Sequence, residues 1–145
     1  MTTTTLSTYT TVGQTIASGN TLDILAKGAV HIDAAAAAVA NASKATGVSL
    51  NNAGTITNAF QTAGFGVDFQ YGGTIVNSGK IIGATGVSVA YGASVTNTAG
   101  ATISSPVTSY GVGVNLGYSG AGGNNYLDTL LSGVTRTNCT ELSDL

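Results

Sequence analysis

A strand-like unit recurs along this chain at a spacing of about 20 residues. Glycine, valine, a small or polar residue and a second apolar residue follow one another in four places, which contain Val48-Ser49-Leu50, Val67-Asp68-Phe69, Val87-Ser88-Val89 and Val112-Gly113-Val114. The step between leading valines is nearly constant and lengthens only at the last copy, between Val87 and Val112. Strands this short are not stable alone, so the repeat predicts that successive copies stack on one another.

A second unit keeps the same step and ends in asparagine. Its copies are Thr55-Ile56-Thr57-Asn58, Thr74-Ile75-Val76-Asn77, Ser94-Val95-Thr96-Asn97 and the weaker Ala38-Val39-Ala40-Asn41. A third apolar position follows at Ile81 and Ile103. Each repeat is therefore predicted to contain three short strands separated by glycine and asparagine turns.

Apolar residues within the units alternate with polar ones, which is the period of a strand and not of a helix. If each repeat makes one turn, equivalent strands pair in parallel about 4.8 Å apart. We therefore predict an all-β, parallel β-solenoid of four to five coils with about 20 residues per coil. The predicted inward ladder residues are Asn41, Asn58, Asn77, Asn97, Val48, Val67, Val87, Val112, Ile56, Ile75 and Val95.

The predicted solenoid occupies residues 1–117, and residues 1–28 form either an imperfect first coil or an N-terminal cap. Residues 34–46 are alanine-rich enough to form a short helix with Asp33 as its N-cap. Val39 and Asn41 nevertheless keep their repeat positions, which favours an imperfect coil of the solenoid. Residues 118–145 are predicted to form a loop, a short apolar element and a polar tail that can cap the last coil.

Composition excludes several classes of protein. The 145 residues include 21 glycines but only 7% charged side chains, and the formal net charge is −2. Such a chain has no basic field for a phosphate backbone, so nucleic acid is not expected as a partner. The apolar run 34–40 is far shorter than the roughly 20 residues that span a bilayer, so no membrane insertion is expected. A single cysteine, Cys139, excludes an intramolecular disulfide and a cysteine zinc cluster.

Catalysis needs titratable groups that converge, and this chain has few of them. His31 is the single histidine, and the carboxylates of the repeat region are Asp23, Asp33 and Asp68. Nothing in their spacing brings a pair together for glycoside cleavage. We therefore predict a protein that is not an enzyme and needs no cofactor and no metal.

Three binding chemistries nevertheless stay open as alternatives. Tyr71 and Tyr91 hold the same position in adjacent repeats, where their rings can stack and form a carbohydrate-binding or carbohydrate-cleaving face. The run 122–128, which ends at Asp128, faintly resembles a calcium-binding glycine-rich repeat. The pairs Thr55/Thr57 and Ser94/Thr96 resemble the outward threonine pairs of ice-binding solenoids.

Three repeat segments resemble the repeats of bacterial autotransporter passenger domains and related adhesin-like surface proteins: Ala53–Asn58, Gly73–Gly79 and Gly92–Asn97. The resemblance extends over about residues 13–116 and concerns repeat style, so it assigns no functional residue. It implies a right-handed parallel β-helix, extracellular or on a bacterial cell surface, that works as a stalk or adhesive surface. The implied partners are a surface glycan, another protein or further copies of the chain.

Two features of that family are not visible in this sequence. Residues 1–11 lack the basic and apolar regions of a secretory signal, and the roughly 30 residues after Leu116 are too few for a membrane barrel. Three alternatives are compatible with this pattern: a fragment of a longer passenger, a short stand-alone relative exported by another route, and a truncated product.

Overall fold

The computed structural model describes residues 1–107 and 111–116, together with the backbone of one further strand at Tyr126–Thr129. All regular structure in these residues is β, which confirms the predicted fold class. In chain order the strands are β1 (Thr3–Leu6), β2 (Tyr9–Thr10), β3 (Gln14–Ile16), β4 (Thr21–Ile24), β5 (Ala29–Ile32), β6 (Ala37–Asn41), β7 (Ser49–Asn52), β8 (Thr55–Asn58), β9 (Phe65–Phe69), β10 (Thr74–Asn77), β11 (Lys80–Ile82), β12 (Thr85–Val89), β13 (Ser94–Asn97), β14 (Thr102–Ser104), β15 (Val112–Leu116) and β16 (Tyr126–Thr129). The alanine-rich segment 34–46 thus contains strand β6, and the alternative of a helix there is wrong.

The strands form three parallel sheets. Sheet A has the order β1-β4-β7-β10-β13-β16, sheet B the order β2-β5-β8-β11-β14, and sheet C the order β3-β6-β9-β12-β15. The chain visits the three sheets in turn, so three successive strands make one coil and five complete coils stack in the described part of the chain. The predicted parallel solenoid is therefore confirmed, whereas its right hand stays a prediction.

The coils differ in length although their strands stay in register. Along sheet A, Thr3 pairs with Thr21, Thr21 with Ser49, Ser49 with Thr74, and Thr74 with Ser94. Among these four steps the first is the shortest and the step from Thr21 to Ser49 is the longest, and the next step, from Ser94 to Tyr126, is longer still. The additional residues of the longer coils lie in the turns between strands, for example in the segments 42–48 and 59–64. The strand β16 lies beyond the predicted solenoid boundary at residue 117 and pairs with β13.

Side chains along each strand alternate between the interior and the surface. In β8, Ile56 and Asn58 are buried, whereas Thr55 and Thr57 are half-buried. In-register pairing stacks the inward side chains of successive coils into columns, each buried aliphatic side chain contributing about 2 kcal/mol. The aliphatic columns of sheets A, B and C are, respectively, Leu22-Leu50-Ile75-Val95, Val30-Ile56-Ile81-Ile103 and Val39-Val67-Val87-Val114.

The register corrects how the predicted valine ladder is assembled. Val67 and Val87 are neighbours in sheet C as expected. Val48, although buried, precedes β7 of sheet A, and Val112 pairs with Thr85 while Val114 takes the place beside Val87. The three strands of one coil have similar sequences, whereas the coils differ in length. A constant step of about 20 residues therefore aligns a strand of one sheet with a similar strand of another sheet wherever a coil is longer.

The predicted asparagine ladder is divided in the same way. Of its four members, Asn77 and Asn97 share a column in sheet A, whereas Asn58 ends a strand of sheet B and Asn41 ends a strand of sheet C. Likewise Ile56 belongs to sheet B, and only Ile75 and Val95 are neighbours. The third member of the sheet A column is Asn52, which the repeat comparison missed.

We call Asn52, Asn77 and Asn97 the asparagine column. The side-chain amide of Asn52 donates to Oδ1 of Asn77, and that of Asn77 donates to Oδ1 of Asn97, both at 2.7 Å. Each amide also donates at 3.1 Å to a backbone carbonyl, those of Lys80, Thr102 and Ala101 respectively. Every buried side-chain nitrogen or oxygen in the described residues has a hydrogen-bond partner, so the polar interior is compatible with a stable core.

Candidate functional site

The outward face of sheet A presents a column of small hydroxyl side chains. It consists of Thr3, Thr21, Ser49, Thr74 and Ser94, which pair directly from coil to coil, and we call it the hydroxyl column. Thr3 and Thr74 are exposed, Ser49 and Ser94 half-buried, and Thr21 buried. Parallel pairing spaces these groups about 4.8 Å apart, so the column is a regular series of uncharged hydroxyl groups, and the Asp23 carboxylate lies on the same face two residues after Thr21.

Tyr71 and Tyr91 lie at the corner where the chain passes from sheet C to sheet A, and we call this pair the aromatic corner. Tyr71 precedes Thr74 by three residues and Tyr91 precedes Ser94 by three, so each tyrosine lies in the turn that leads into a strand of the hydroxyl column. The exposed fractions of Tyr71 and Tyr91 are 39% and 56%. The predicted ligand-binding tyrosines therefore both expose part of their rings to solvent.

The backbone at the aromatic corner is unusual. Tyr91 has a φ of 53°, and Lys44 is the one other non-glycine residue with positive φ in the described chain. The glycines that follow the two tyrosines, Gly72 and Gly92, both have a φ of 76°. A bulky side chain in the left-handed region costs about 1 kcal/mol relative to glycine, so Tyr91 does not improve the stability of this turn.

The expected stacking of the two tyrosine rings does not occur. The one stacked ring pair among the described residues is Tyr9 with His31, whose centroids are 6.2 Å apart at an interplanar angle of 29°. Tyr9 is 61% exposed and lies on sheet B, opposite Ala29 in the register. Tyr71 and Tyr91 therefore offer two separate aromatic surfaces to a ligand.

A shallow groove of about 270 Å³ borders the same outward face. It is lined in part by Asp23, Leu25, Asn51, Val76 and Ser78. The side-chain amide of Asn51 donates to the Asp23 carboxylate at 2.8 Å, and Leu25 is 47% exposed. The groove thus combines a carboxylate, two asparagine amides, a serine hydroxyl and apolar side chains from adjacent coils.

The other titratable residues do not converge. His31 lies on β5 in sheet B, and Asp33 follows that strand, whereas Asp68 lies on β9 in sheet C and accepts a hydrogen bond from the Gln70 side chain. No group of three or more His, Cys, Asp or Glu residues suited to a metal ion occurs in the described chain. The side chains of the predicted calcium run, including Asp128, lie outside the described residues, as do the C-terminal loop and tail.

The threonine pairs do not form a single array. Thr55 and Thr57 lie on sheet B, whereas Ser94 and Thr96 lie on sheet A.

The part of the chain that the structure describes contains no helix that could span a membrane.

Comparison with known proteins gives no relative: no family model matches the chain, and neither curated proteins nor solved structures provide a match.

Proposed function

We propose that this chain is a non-enzymatic, structural and adhesive β-solenoid of an extracellular or bacterial cell surface, with a surface glycan as its partner. The observation that supports this function best is the conformation of Tyr91, which is more than half exposed and is held at a φ of 53°. A residue that lowers local stability and faces solvent is a candidate for function, because strained residues are enriched at functional sites. The resemblance to autotransporter passenger repeats supports the same function and location.

The chemistry of the neighbouring groups suits a neutral sugar. Aromatic rings pack against the apolar face of a sugar ring, and hydroxyl or amide groups exchange hydrogen bonds with its hydroxyls. The aromatic corner supplies the rings, and Thr74 and Ser94 supply hydroxyl groups three residues away in each coil. Neither tyrosine nor the hydroxyl column has a charge, so an uncharged glycan is favoured over an acidic one.

Binding to immobilised neutral polysaccharides tests this function, with cellulose, chitin and dextran as the probes. We expect the unaltered chain to be retained on at least one of them. Tyr91→Gly should weaken retention by about tenfold, since tyrosine is enriched among the few residues that carry most of the binding free energy of an interface. Glycine suits a positive φ, so Tyr91→Gly should leave the free energy of unfolding within about 1 kcal/mol of its original value.

Tyr9→Ala is the matched control, because Tyr9 is a similarly exposed tyrosine on another sheet. It should bind polysaccharide as the unaltered chain does. If no probe retains the unaltered chain, or if Tyr9→Ala weakens retention as much as Tyr91→Gly, the proposed glycan-binding surface is wrong. Release of soluble sugars from the probes would instead favour the carbohydrate-cleaving alternative.

A further inference from the structure

The first coil presents the outer edges of all three sheets. Its strands β1, β2 and β3 are the end strands of sheets A, B and C, and no strand of the described chain pairs with their outer sides. An open strand edge has unpaired backbone donors and acceptors, which makes it a template for another strand.

The hydrogen-bond pattern identifies which backbone groups face outward from β1. The amides of Thr21 and Leu25 donate to the carbonyls of Thr2 and Leu6, both at 2.9 Å. Successive residues of a strand point their N–H and C=O groups to opposite sides, so the backbone groups of Thr3 and Thr5 face away from β4. They are donors and acceptors positioned for a further strand.

The same alternation applies to the other two strands of the first coil. The amide of Ala29 donates to the carbonyl of Thr8, and the amide of Ala42 donates to the carbonyl of Ile16. The backbone groups of Tyr9 and Thr15 therefore face outward as well. Among the described residues, the outer edges of β1, β2 and β3 are therefore all unpaired, and they lie at the same end of the solenoid.

The side chains of the first coil do not protect this edge. Natural sheets discourage edge pairing with lysine, proline, bulges or a covering segment. Residues 1–22 contain no charged side chain and no proline, and the first charged side chain is that of Asp23. Of the six large hydrophobic residues that are exposed in the described chain, Met1, Tyr9 and Val12 belong to this coil.

We propose that the edge is occupied by the first coil of a second copy of this chain, which forms a two-fold symmetric dimer end to end. A two-fold axis perpendicular to sheet A places β1 antiparallel to the partner's β1. The same rotation exchanges the other two sides of the solenoid, so β2 meets the partner's β3 and β3 meets the partner's β2. The same edge of each copy thereby supplies backbone donors and acceptors to the other, as a two-fold interface requires. No charged side chain of the first coil opposes the approach.

Light scattering coupled to size exclusion measures the association directly. We expect a mass of twice that of the single chain, reached as the protein concentration rises. Thr3→Lys places two lysines close together across the axis, because Thr3 is exposed and pairs with the uncharged Thr21. Like charges facing each other should weaken association by at least about tenfold. Thr74→Lys is the matched control, since it adds the same charge to an exposed threonine of β10 away from the edge, and it should still dimerise.

Circular dichroism establishes that both variants keep their β-structure, and hydrogen exchange of the unaltered chain provides a second measurement. The amides of Thr3 and Thr5 should exchange more slowly as the protein concentration rises, because the described part of the chain gives them no acceptor and the dimer supplies one. A monomer at all concentrations, or fast exchange of these amides throughout, overturns the proposal. Open-ended polymers would also overturn it, because they require head-to-tail contacts. This outcome is separate from glycan binding, which depends on the aromatic corner.

Discussion

Asn77 is the central residue of the asparagine column and has the most side-chain partners of the three. It is fully buried, accepts from Asn52, and donates to Asn97 and to the carbonyl of Thr102. A buried amide contributes little when it is fully bonded, but the loss of one amide leaves its partners buried without a hydrogen bond. The column therefore requires asparagine at each of its positions.

Replacement of Asn77 by alanine should lower the free energy of unfolding by about 3 kcal/mol, because it leaves Oδ1 of Asn97 and the carbonyl of Thr102 without their donor. Urea denaturation measures the change. Asn51→Ala is the matched control: Asn51 is exposed and its amide donates to the half-buried Asp23, so its loss should change stability by no more than about 0.5 kcal/mol. Equal losses of stability in the two variants would show that the hydrogen bonds of the asparagine column do not stabilise the fold.

At the scale of the element, sheet C contains a column of glycines at Gly66, Gly86 and Gly113 on β9, β12 and β15. Gly66 and Gly86 do not have positive φ, unlike Gly47, whose φ is 63°. Their importance is the close approach of neighbouring coils. A Cβ atom on Gly66 would lie 2.5 Å from the carbonyl oxygen of Gly86 and 2.7 Å from a methyl group of Ile81.

Gly66→Ala should therefore destabilise the fold by about 3 kcal/mol, because neither the ladder backbone nor the buried isoleucine can withdraw without loosening the core. Thermal unfolding followed by circular dichroism measures this. In the control Gly113→Ala, the new Cβ would lie 3.6 Å from the nearest described atom, the carbonyl oxygen of Ile103, and the loss should stay below about 1 kcal/mol. A tolerated alanine at residue 66 would contradict close packing of these coils.

Local sequence patterns predicted the elements better than their assembly. The alternation in Thr55–Asn58 and Thr74–Asn77 identified both segments as strands, because alternation depends only on which side chains are buried. It could not assign these segments to different sheets, because strands of sheets A and B have the same pattern. Only the lengths of the intervening turns separate them, and these lengths vary from coil to coil.

The candidate site was predicted in part for the same reason. Tyr71 and Tyr91 were matched correctly because the register step is equal on both sides of the corner, where Phe69 pairs with Val89 and Thr74 with Ser94. The residue types around Tyr91 do not predict its positive φ. Glycine is the residue that indicates a left-handed conformation, and here it stands one position later, at Gly92. The sequence comparison also missed the hydroxyl column. The long turns between Thr21 and Ser49 make this step longer than the period of about 20 residues at which the repeats were compared.

For the whole molecule, stability should be nearly independent of ionic strength. The chain has four Lys and Arg residues and six Asp and Glu residues, so few charge pairs exist for salt to screen. Between about 0.05 M and about 0.5 M NaCl, the free energy of unfolding should change by less than about 0.5 kcal/mol. Urea denaturation at constant protein concentration measures it, and a change above about 1 kcal/mol would indicate that electrostatic contacts stabilise the fold.

Because coils of unequal length stack in register, the length of the solenoid along its axis depends on the number of coils and not on the number of residues. The short coil from Thr3 to Thr21 and the long coil from Thr21 to Ser49 each add about 4.8 Å along the axis, so five coils extend about 24 Å. Insertions in the turns widen the cross-section locally, whereas duplication of a whole coil lengthens the rod and repeats its outward groups at the same spacing. A lineage can therefore change how far this protein projects, and how many contacts it offers, as two independent traits.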